Sequence, residues 1–232
     1  MVDHRLALIA GANRGIGLAV TKEFLARGWD VVATARDPER ATELHRVAAS
    51  HPGRVTVPRL DVNDPAALDR FADTLGGKVL DAVLLNAGVS GPGHRSASAV
   101  TETEIGALMF TNAIAPVRLA RALMRHVRQG SGVLAFTSSV MGSVAANSGG
   151  HELYRASKAA LNSLARGLWP EMHGRKLTMV SLHPGWVRTD MGGSTAPVSV
   201  DDSAAGIVNV IEKQSGAHQH RFLDYMGKEL PW

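Results

Sequence analysis

The sequence of 232 residues contains no cysteine. This absence excludes disulfide bonds, catalysis by a thiolate and zinc sites that are ligated by cysteine. No stretch approaches the ~20 consecutive apolar residues that a membrane-spanning helix needs. The apolar run at 6–10 leads directly into a glycine-rich segment, so it is too short for the core of a signal peptide. We therefore expect a soluble cytoplasmic protein.

The sequence also lacks a concentrated basic segment and a metal-binding pattern. It has 25 lysines and arginines against 21 acidic residues, and the basic residues are scattered along the chain. Nucleic-acid binding usually requires a concentrated basic face, so we expect no nucleic-acid partner. The ten histidines show no spacing that is typical of metal ligands, so we expect no bound metal.

Short apolar runs alternate with longer helical patterns over the whole chain. The runs are continuously apolar, which is typical of a parallel sheet covered on both faces. The alternation of strand and helix implies right-handed crossovers. We predict one α/β domain with a doubly wound parallel sheet of about seven strands and helices on both faces. The predicted strands include 55–60 and 79–85.

Two predicted helices, 101–128 and 152–173, are apolar on more than one face. A helix of this kind requires a second partner besides its own sheet. We therefore predict a homodimer or homotetramer that forms through these helices. The alternative is that they are core helices covered within one chain. Pro116 lies inside the first helix, so a local kink is expected there.

The segment GANRGIG at 11–17 follows the first predicted strand and opens the first predicted helix. Glycine permits a tight turn and lets the backbone approach a diphosphate closely, and the helix N-terminus offers free N–H groups and a partial positive charge. The spacing is G-x-x-x-G-x-G and not the more familiar G-x-G-x-x-G. Nucleotide binding is therefore predicted, and an ordinary strand-to-helix turn is the alternative.

Arginine side chains indicate which dinucleotide is preferred. Arg14 lies in the glycine segment and Arg36 follows the second predicted strand. An acidic residue near the end of that strand is typical of NAD sites, whereas an arginine accommodates the 2′-phosphate of NADP. We favour NADP(H). Asp37, one residue further on, supports the competing NAD(H) reading, and Arg36 could also be only a solvated loop charge.

Tyr154 and Lys158 stand four residues apart in a predicted helix and therefore share one face. A phenol titrates near ~10 in water. A fixed cation nearby is expected to lower the pKa of Tyr154. The pair is thus a candidate general acid and base beside a nucleotide site, which indicates hydride-transfer chemistry.

Further motifs follow the predicted strands: Asp61-Val62, Asn86-Ala87-Gly88, Ser138-Ser139 and His183-Pro184-Gly185-Trp186-Val187-Arg188-Thr189. Together with the glycine segment, Asn112 and Tyr154-x-x-x-Lys158, they resemble the short-chain dehydrogenase/reductase family over nearly the whole chain. Segments 190–193 and 222–232 resemble most closely the branch that contains C-factor and the sniffer-type carbonyl reductases. The resemblance implies a single Rossmann domain over residues 1–232 with a short substrate lid at 190–200.

The resemblance also implies the site residues. The catalytic residues would be Ser139, Tyr154, Lys158 and Asn112, of which Asn112 would support a water chain for proton relay. The cofactor-binding residues would be Gly11, Asn13, Arg14, Gly15, Ile16, Gly17, Arg36, Asp61, Val62, Asn86, Ala87, Gly88, Tyr154, Lys158, Pro184, Gly185, Val187 and Thr189. The substrate-binding residues would be Ser139, Val140, Met141, His151, Trp186 and Met191.

The chain departs from the family's pattern at a few positions. Ala10 stands where a threonine usually precedes the first glycine, and Leu85 replaces the first of a pair of asparagines. Losing both polar groups together is expected to be nearly neutral if the two positions pair. Both serines stand further before Tyr154 than the family's catalytic serine usually does. We favour Ser139 as the catalytic serine, and Ser138 is the alternative.

The expected function is reduction of aldehyde or ketone carbonyls with NADP(H), with NAD(H) as the alternative cofactor and Tyr154 as general acid. The lid at 190–200 is short and rich in small residues, which suggests an open site that accepts assorted small-molecule carbonyls. The alternative function is that of an NAD(P)-binding signalling or sensor protein of the C-factor type, with little or no turnover.

Overall fold

The computed structural model describes residues 5–94 and 96–232, so residues 1–4 of the predicted domain and position 95 lie outside the described residues. The strands are β1 Leu6–Ala10, β2 Asp30–Thr34, β3 Val55–Thr56, β4 Ala82–Leu85, β5 Val133–Thr137, β6 Thr178–His183 and β7 His220–Asp224. Within the described residues they form one parallel sheet in the order β3-β2-β1-β4-β5-β6-β7. The predicted doubly wound sheet is confirmed.

Helices cover both faces of this sheet. They are α1 Gly15–Ala26, α2 Thr42–Ser50, α3 Pro65–Thr74, α4 Glu102–Met109, α5 Ala115–Leu123, α6 Glu152–Gly174 and α7 Val200–Gln214. No helix in the described part of the chain combines the length and the apolar character that a membrane crossing demands.

Successive residues of each strand point to opposite faces of the sheet. In β1, Ala7 and Ile9 belong to one hydrophobic core, and Leu8 and Ala10 belong to the other. The first core includes side chains of α1, α2 and α7, and the second includes side chains of α3, α5 and α6. Because both faces are covered, β1 reads in the sequence as a continuous apolar run.

The third and fourth strands are shorter than the predicted 55–60 and 79–85. β3 ends at Thr56, since Pro58 has no N–H to donate to the ladder. The carbonyl of Pro58 accepts from the Ala35 N–H at 3.2 Å, and one isolated bridge joins Ala35 to Arg59. β4 begins only at Ala82 because Leu80 pairs with Val127 in a separate bridge.

The predicted helix 101–128 is divided into α4 and α5 by a π-helical turn at Phe110–Ile114. Pro116 has no N–H and cannot donate to the carbonyl of Asn112, as an α-helix would require. Just before it, the N–H of Ala115 donates to the carbonyl of Phe110, which lies five residues back and not four. The kink expected at Pro116 is therefore a π turn, and the turn contains the buried candidate residue Asn112.

We predict unequal costs for two valine substitutions near the start of β4. Val83 is fully buried, whereas Val79 is 43% exposed and precedes the strand. Val83→Ala should lower the free energy of unfolding by about 1.5–3 kcal/mol because it removes buried methyl groups. Val79→Ala should change it by no more than about 0.5 kcal/mol. Urea titrations of both variants measure the difference, and equal costs would contradict the observed strand boundary.

Candidate active site

The candidate residues lie at the carboxyl edge of the sheet. β1, β4, β5 and β6 are neighbours that run in the same direction, so the segments that follow them meet at one edge. In doubly wound sheets a ligand binds at this edge where the strand order reverses, which here is between β1 and β4. The glycine segment, 86–88, 137–139 and 184–189 are brought together in this way.

The glycine segment forms a turn that leaves no room for side chains. Gly11 has a φ of +84°, and a Cβ there would lie 3.1 Å from the backbone of Ala87. A Cβ on Gly17 would overlap the carbonyl oxygen of Gly11. α1 begins at Gly15, and its N-cap residue Arg14 makes no side-chain cap. The first N–H groups of α1 are therefore arranged as they are where such a turn holds a phosphate.

Polar side chains from three strands brace this turn. The Gly11 N–H donates to Thr34 Oγ1 at 3.3 Å, and Asn86 Nδ2 donates to the Gly11 carbonyl at 3.0 Å. Thr137 Oγ1 donates to Asn86 Oδ1 at 3.2 Å, which fixes the amide orientation. These three contacts hold Gly11 and Asn86, the residues that directly follow Ala10 and Leu85, where the family's usual threonine and asparagine are missing.

Ala10 and Leu85, which depart from the family's pattern, are register partners between β1 and β4. They are 1% and 3% exposed, so the pair is apolar and buried. The structure thus places the two substitutions side by side, as the expectation of a nearly neutral joint loss requires.

The candidate phosphate-binding arginines differ in their surroundings. Arg14 Nη1 lies 2.6 Å from Asp190 Oδ2, and both side chains are mostly exposed. Arg36 is exposed and lies two residues after Thr34, the last residue of β2. The competing carboxylate of Asp37 lies 4.0 Å from Arg40 Nε.

The segment after β3 places its two candidate residues differently. Asp61 Oδ1 accepts a hydrogen bond from the Asn63 N–H at 3.0 Å and so shapes the turn. Val62 lines a small apolar cavity with Ala10, Leu85, Ala87, Pro116 and Leu119. The cavity lies where the strand order reverses between β1 and β4, beside the glycine segment.

Tyr154 and Lys158 lie one turn apart on α6. Lys158 is 4% exposed, and its Nζ donates to the Thr137 carbonyl at 2.8 Å and lies 5.7 Å from the centre of the Tyr154 ring. Burial lowers the pKa of Lys158 to about 8 and raises the pKa of Tyr154 to about 12. The predicted lowering of the Tyr154 pKa is therefore wrong, because burial disfavours the phenolate. The phenol stays protonated at neutral pH.

Asn112 joins the π turn to α6 and to the segment after β4. Its Nδ2 donates to the Val89 carbonyl at 2.8 Å and to Ser157 Oγ at 3.0 Å, and its Oδ1 accepts from the Val89 N–H at 2.8 Å. Ser157 Oγ donates in turn to the Tyr154 carbonyl at 2.8 Å. The amide thus fixes the helix that carries the tyrosine, and its part in proton relay stays a prediction.

The two serines after β5 have different bonds. Ser138 is 1% exposed, and its Oγ donates to Asn162 Oδ1 at 2.7 Å. Ser139 Oγ accepts from the Met141 N–H at 3.1 Å and caps the 3₁₀ turn Val140–Gly142. An accepting hydroxyl still has its own proton to donate. The hydroxyl proton of Ser138 is therefore used in a buried hydrogen bond. The hydroxyl proton of Ser139 can still be donated to a substrate oxygen.

The predicted substrate-binding residues flank these groups. Val140 and Met141 are partly buried in the turn after Ser139, and His151 precedes α6 with a φ of +50°. Trp186 and Met191 follow β6 and are 56% and 53% exposed. The role of these residues in substrate binding stays a prediction.

The segment after β6 makes contacts within itself and with the glycine segment. Trp186 Nε1 donates to the Gly192 carbonyl at 2.8 Å, and a bridge joins Val187 to Val198. A Cβ on Gly15 would lie 3.5 Å from Cγ2 of Thr189. Gly185, preceded by Pro184, has a φ of +89°. Movement of 190–200 as a lid stays a prediction.

Several residues that position the site were not singled out from the sequence. Asn162 lies four residues after Lys158, so helical spacing could have indicated it. Thr34 and Thr137 each end an apolar strand, which is a local signal for a polar contact at the sheet edge. Asp190 pairs with Arg14 over 176 residues of chain, and no local pattern predicts that contact.

The chain is similar to known proteins along its whole length. A sequence model of the family described as short chain dehydrogenase matches residues 5–198. A carbonyl reductase from Pseudomonas aeruginosa PAO1, solved in complex with NADP, is 43% identical, with a TM-score of 0.92 and coverage of 99% of this chain and 100% of that one. The carbonyl reductase Sniffer of D. melanogaster is 32% identical, with a TM-score of 0.88 and coverage of 99% and 100%. The C-signal protein of Myxococcus xanthus is 39% identical over 164 residues, which are 70% of this chain and 98% of that protein.

We predict that the two serines differ in their contribution to stability. Ser138→Ala leaves Asn162 Oδ1 without its buried donor and should lower the free energy of unfolding by about 1–3 kcal/mol. Ser139→Ala removes one cap of a short turn and should cost no more than about 1 kcal/mol. Denaturant titrations of both variants measure these costs. A larger cost at Ser139 would contradict the assignment of Ser138 to the interior.

Proposed function

The chain belongs to the short chain dehydrogenase family of oxidoreductases, and on that premise we propose that it reduces aldehyde and ketone carbonyls to alcohols with NADPH. One observation carries the proposal most directly: a protonated Tyr154 stands one helical turn from the buried cation of Lys158, at the sheet edge where the glycine segment lies. This is the arrangement that delivery of a proton beside a bound dinucleotide requires.

The residues present fit a nicotinamide dinucleotide. The side-chain-free turn at Gly11 and Gly17 and the open N-terminus of α1 suit its diphosphate. Val62, Asn86 to Gly88 and 184–189 would line the rest of the bound cofactor. When bound, NADPH supplies the hydride that the carbonyl carbon receives, and the protein supplies position and electrostatics.

Side chains of this protein would bind the substrate oxygen and supply the proton. The Ser139 hydroxyl would donate a hydrogen bond to the carbonyl oxygen and hold it. Tyr154 would transfer its phenolic proton to that oxygen, so that one hydride and one proton convert the carbonyl to an alcohol. The Lys158 ammonium would stabilise the phenolate that this transfer leaves behind. Asn112 would hold α6 in place and support proton return through water.

NADP(H) is the proposed cofactor, and NAD(H) is the weaker alternative. Arg14 lies in the turn between β1 and α1, and Arg36 lies after β2. The guanidinium group of either residue suits a 2′-phosphate. Asp37, which would favour a free ribose, lies beside Arg40. The carbonyl reductase from Pseudomonas aeruginosa was solved with NADP, which supports the same choice for this chain.

The proposed substrates are small carbonyl compounds with an apolar portion, which would contact Val140, Met141, Trp186 and Met191.

We also propose that α5 and α6 form a subunit interface, because Ile114, which precedes α5, and Leu164 are each 38% exposed. The proposed location is the cytoplasm.

A signalling or sensor role without turnover is the second candidate function, and the similarity to the C-signal protein favours it.

Tyr154→Phe tests the proposed acid. It should lower kcat for carbonyl reduction by roughly 10²–10⁴-fold, since positioned proton transfer contributes about that much. The dissociation constant of NADPH, measured by fluorescence titration, should stay within a few-fold because the ring is retained. Turnover at the wild-type rate would contradict the role of Tyr154, whereas loss of NADPH binding would show that the hydroxyl acts in cofactor binding.

The pH dependence of reduction should follow Lys158. Burial holds the pKa of Lys158 at about 8 and that of Tyr154 at about 12, so the proton donor persists over the working range while the ammonium is lost first. We expect kcat to be constant below that lower pKa and to fall as the pH rises through about 8. Initial rates at saturating NADPH and substrate measure the profile. A rate that stays constant through that pH would contradict the dependence on the Lys158 charge.

A further inference from the structure

The segment that follows Ser139 is held from two sides. On its inner side, Asn162 Nδ2 of α6 donates to the Gly142 carbonyl at 3.3 Å, and a Cβ on Gly142 would lie 2.8 Å from the backbone of Lys158. The 3₁₀ turn Val140–Gly142 therefore packs directly on the helix that carries Tyr154. This inner contact alone would leave residues 143–146 free to move away from α6.

The outer side of the segment is held by Trp232. The main-chain oxygen of Trp232 accepts from the Ala145 N–H at 3.1 Å and from Ser143 Oγ at 3.3 Å. Ser143 is 1% exposed, and its Oγ also accepts from the Ala146 N–H at 2.9 Å. One main-chain oxygen thus fixes two residues of the loop that follows Ser139.

The indole of Trp232 is itself fixed between β7 and α6. Its ring centre lies 4.9 Å from that of His220 and 5.3 Å from that of Phe222, both in β7. The Arg166 guanidinium of α6 lies 4.8 Å from the indole centre, a cation–π distance. Burial first, and Arg166 second, lower the pKa of His220 to about 4, so that ring stays neutral beside the arginine at neutral pH.

The segment between β7 and Trp232 is a closed turn with its own bonds. The Asp224 N–H donates to the Lys228 carbonyl at 2.9 Å, and the Leu230 N–H donates to the Phe222 carbonyl at 2.8 Å. Arg221 Nη2 lies 2.9 Å from Glu229 Oε2. These bonds therefore hold Trp232 at a defined position.

We propose that Trp232 is a positioning residue for carbonyl reduction, and that it sets the distance between Ser139 and Tyr154. The contacts form a closed ring. Residues 143–145, which follow Ser139, bind the main-chain oxygen of Trp232. The Trp232 indole contacts Arg166 of α6, and α6 also carries Tyr154 and Lys158. The inference rests on the proposed function for its catalytic consequence. The structural contact itself does not depend on that function.

Removal of the indole should act on substrate turnover and leave cofactor binding intact, since the glycine segment lies on the other side of the site. Trp232→Ala should lower kcat for reduction by roughly 10- to 100-fold, because small misplacements of catalytic groups have effects of that size. Trp232→Phe should restore at least part of the loss, because a phenyl ring can still pack against Phe222 and Arg166. The NADPH dissociation constant should stay within a few-fold in both.

Trp29 provides a control for the loss of a packed indole elsewhere in the chain. It is 3% exposed, packs 4.8 Å from Phe24 and lies at the amino end of β2, away from the carboxyl edge. Trp29→Ala should lower thermal stability without changing kcat at a temperature where the variant is folded. Trp29→Phe and Trp232→Leu replace the alanine variants if either fails to fold.

Coupling to Ser139 distinguishes positioning from general destabilisation. If Trp232 acts through Ser139, the double variant Ser139→Ala with Trp232→Ala should have nearly the kcat of Ser139→Ala alone. Fully additive losses, or a folded Trp232→Ala protein with wild-type kcat, would overturn the proposal.

Hydrogen exchange tests the contact without any turnover. In wild type, the Ala145 amide donates to Trp232 and should be protected, and peptides covering 139–147 should exchange faster in Trp232→Ala but not in Trp29→Ala. Unchanged exchange in that segment would overturn the proposed positioning even if reduction were observed. Faster exchange in a protein that reduces no carbonyl would support the contact and place the failure on the proposed function instead.

Discussion

Burial of the Lys158 ammonium is the constraint on which the rest of the site depends. A cation withdrawn from water is costly unless it is hydrogen-bonded, and the Thr137 carbonyl accepts from Nζ at 2.8 Å. This bond fixes how far α6 is rotated and shifted against the end of β5. Tyr154, one turn earlier, is then held at the carboxyl edge of the sheet, and Asn162, one turn later, meets Ser138. The close packing also leaves little room near Lys158, since a Cβ on Gly88 would lie 3.6 Å from Nζ and one on Gly142 would overlap the helix backbone.

The same burial shifts the pKa values of both groups. It lowers the pKa of the ammonium to about 8 and raises that of the phenol to about 12, so at neutral pH both groups are protonated. That is the state in which a carbonyl can receive a proton from the phenol. A surface pair of the same residues would have neither shift and would be poorly defined in position. Burial therefore accounts for the defined geometry of the pair, and it brings the loss of the Lys158 charge to about pH 8.

Much of the fold and of the site's location could be predicted from the sequence, because the signals are local. Continuous apolar strands, a glycine turn that opens a helix, and two polar residues at helical spacing do not depend on distant contacts. The shortened β3 and the π turn follow from Pro58 and Pro116, whose missing N–H groups are visible in the sequence, although the form of the break is not.

Other features required the tertiary structure. The direction of the Tyr154 pKa was predicted wrongly because the extent of burial depends on the whole fold. The choice between Ser138 and Ser139 depends on Asn162, which lies 24 residues after Ser138. The bracing of Gly11 by Thr34 and Asn86 likewise joins three separate strand ends. These contacts explain why a chain with Ala10 and Leu85 keeps an ordered glycine turn without the family's usual polar pair.

The most direct test of the central claim is single-turnover consumption of NADPH that carries deuterium at its transferable position, measured with aldehydes, α-diketones and aromatic ketones. The account predicts consumption of the cofactor with at least one of these carbonyl classes, with a primary isotope effect and with slower turnover when NADH replaces NADPH. Tight NADPH binding without consumption in the presence of every carbonyl would contradict it and would favour the signalling role.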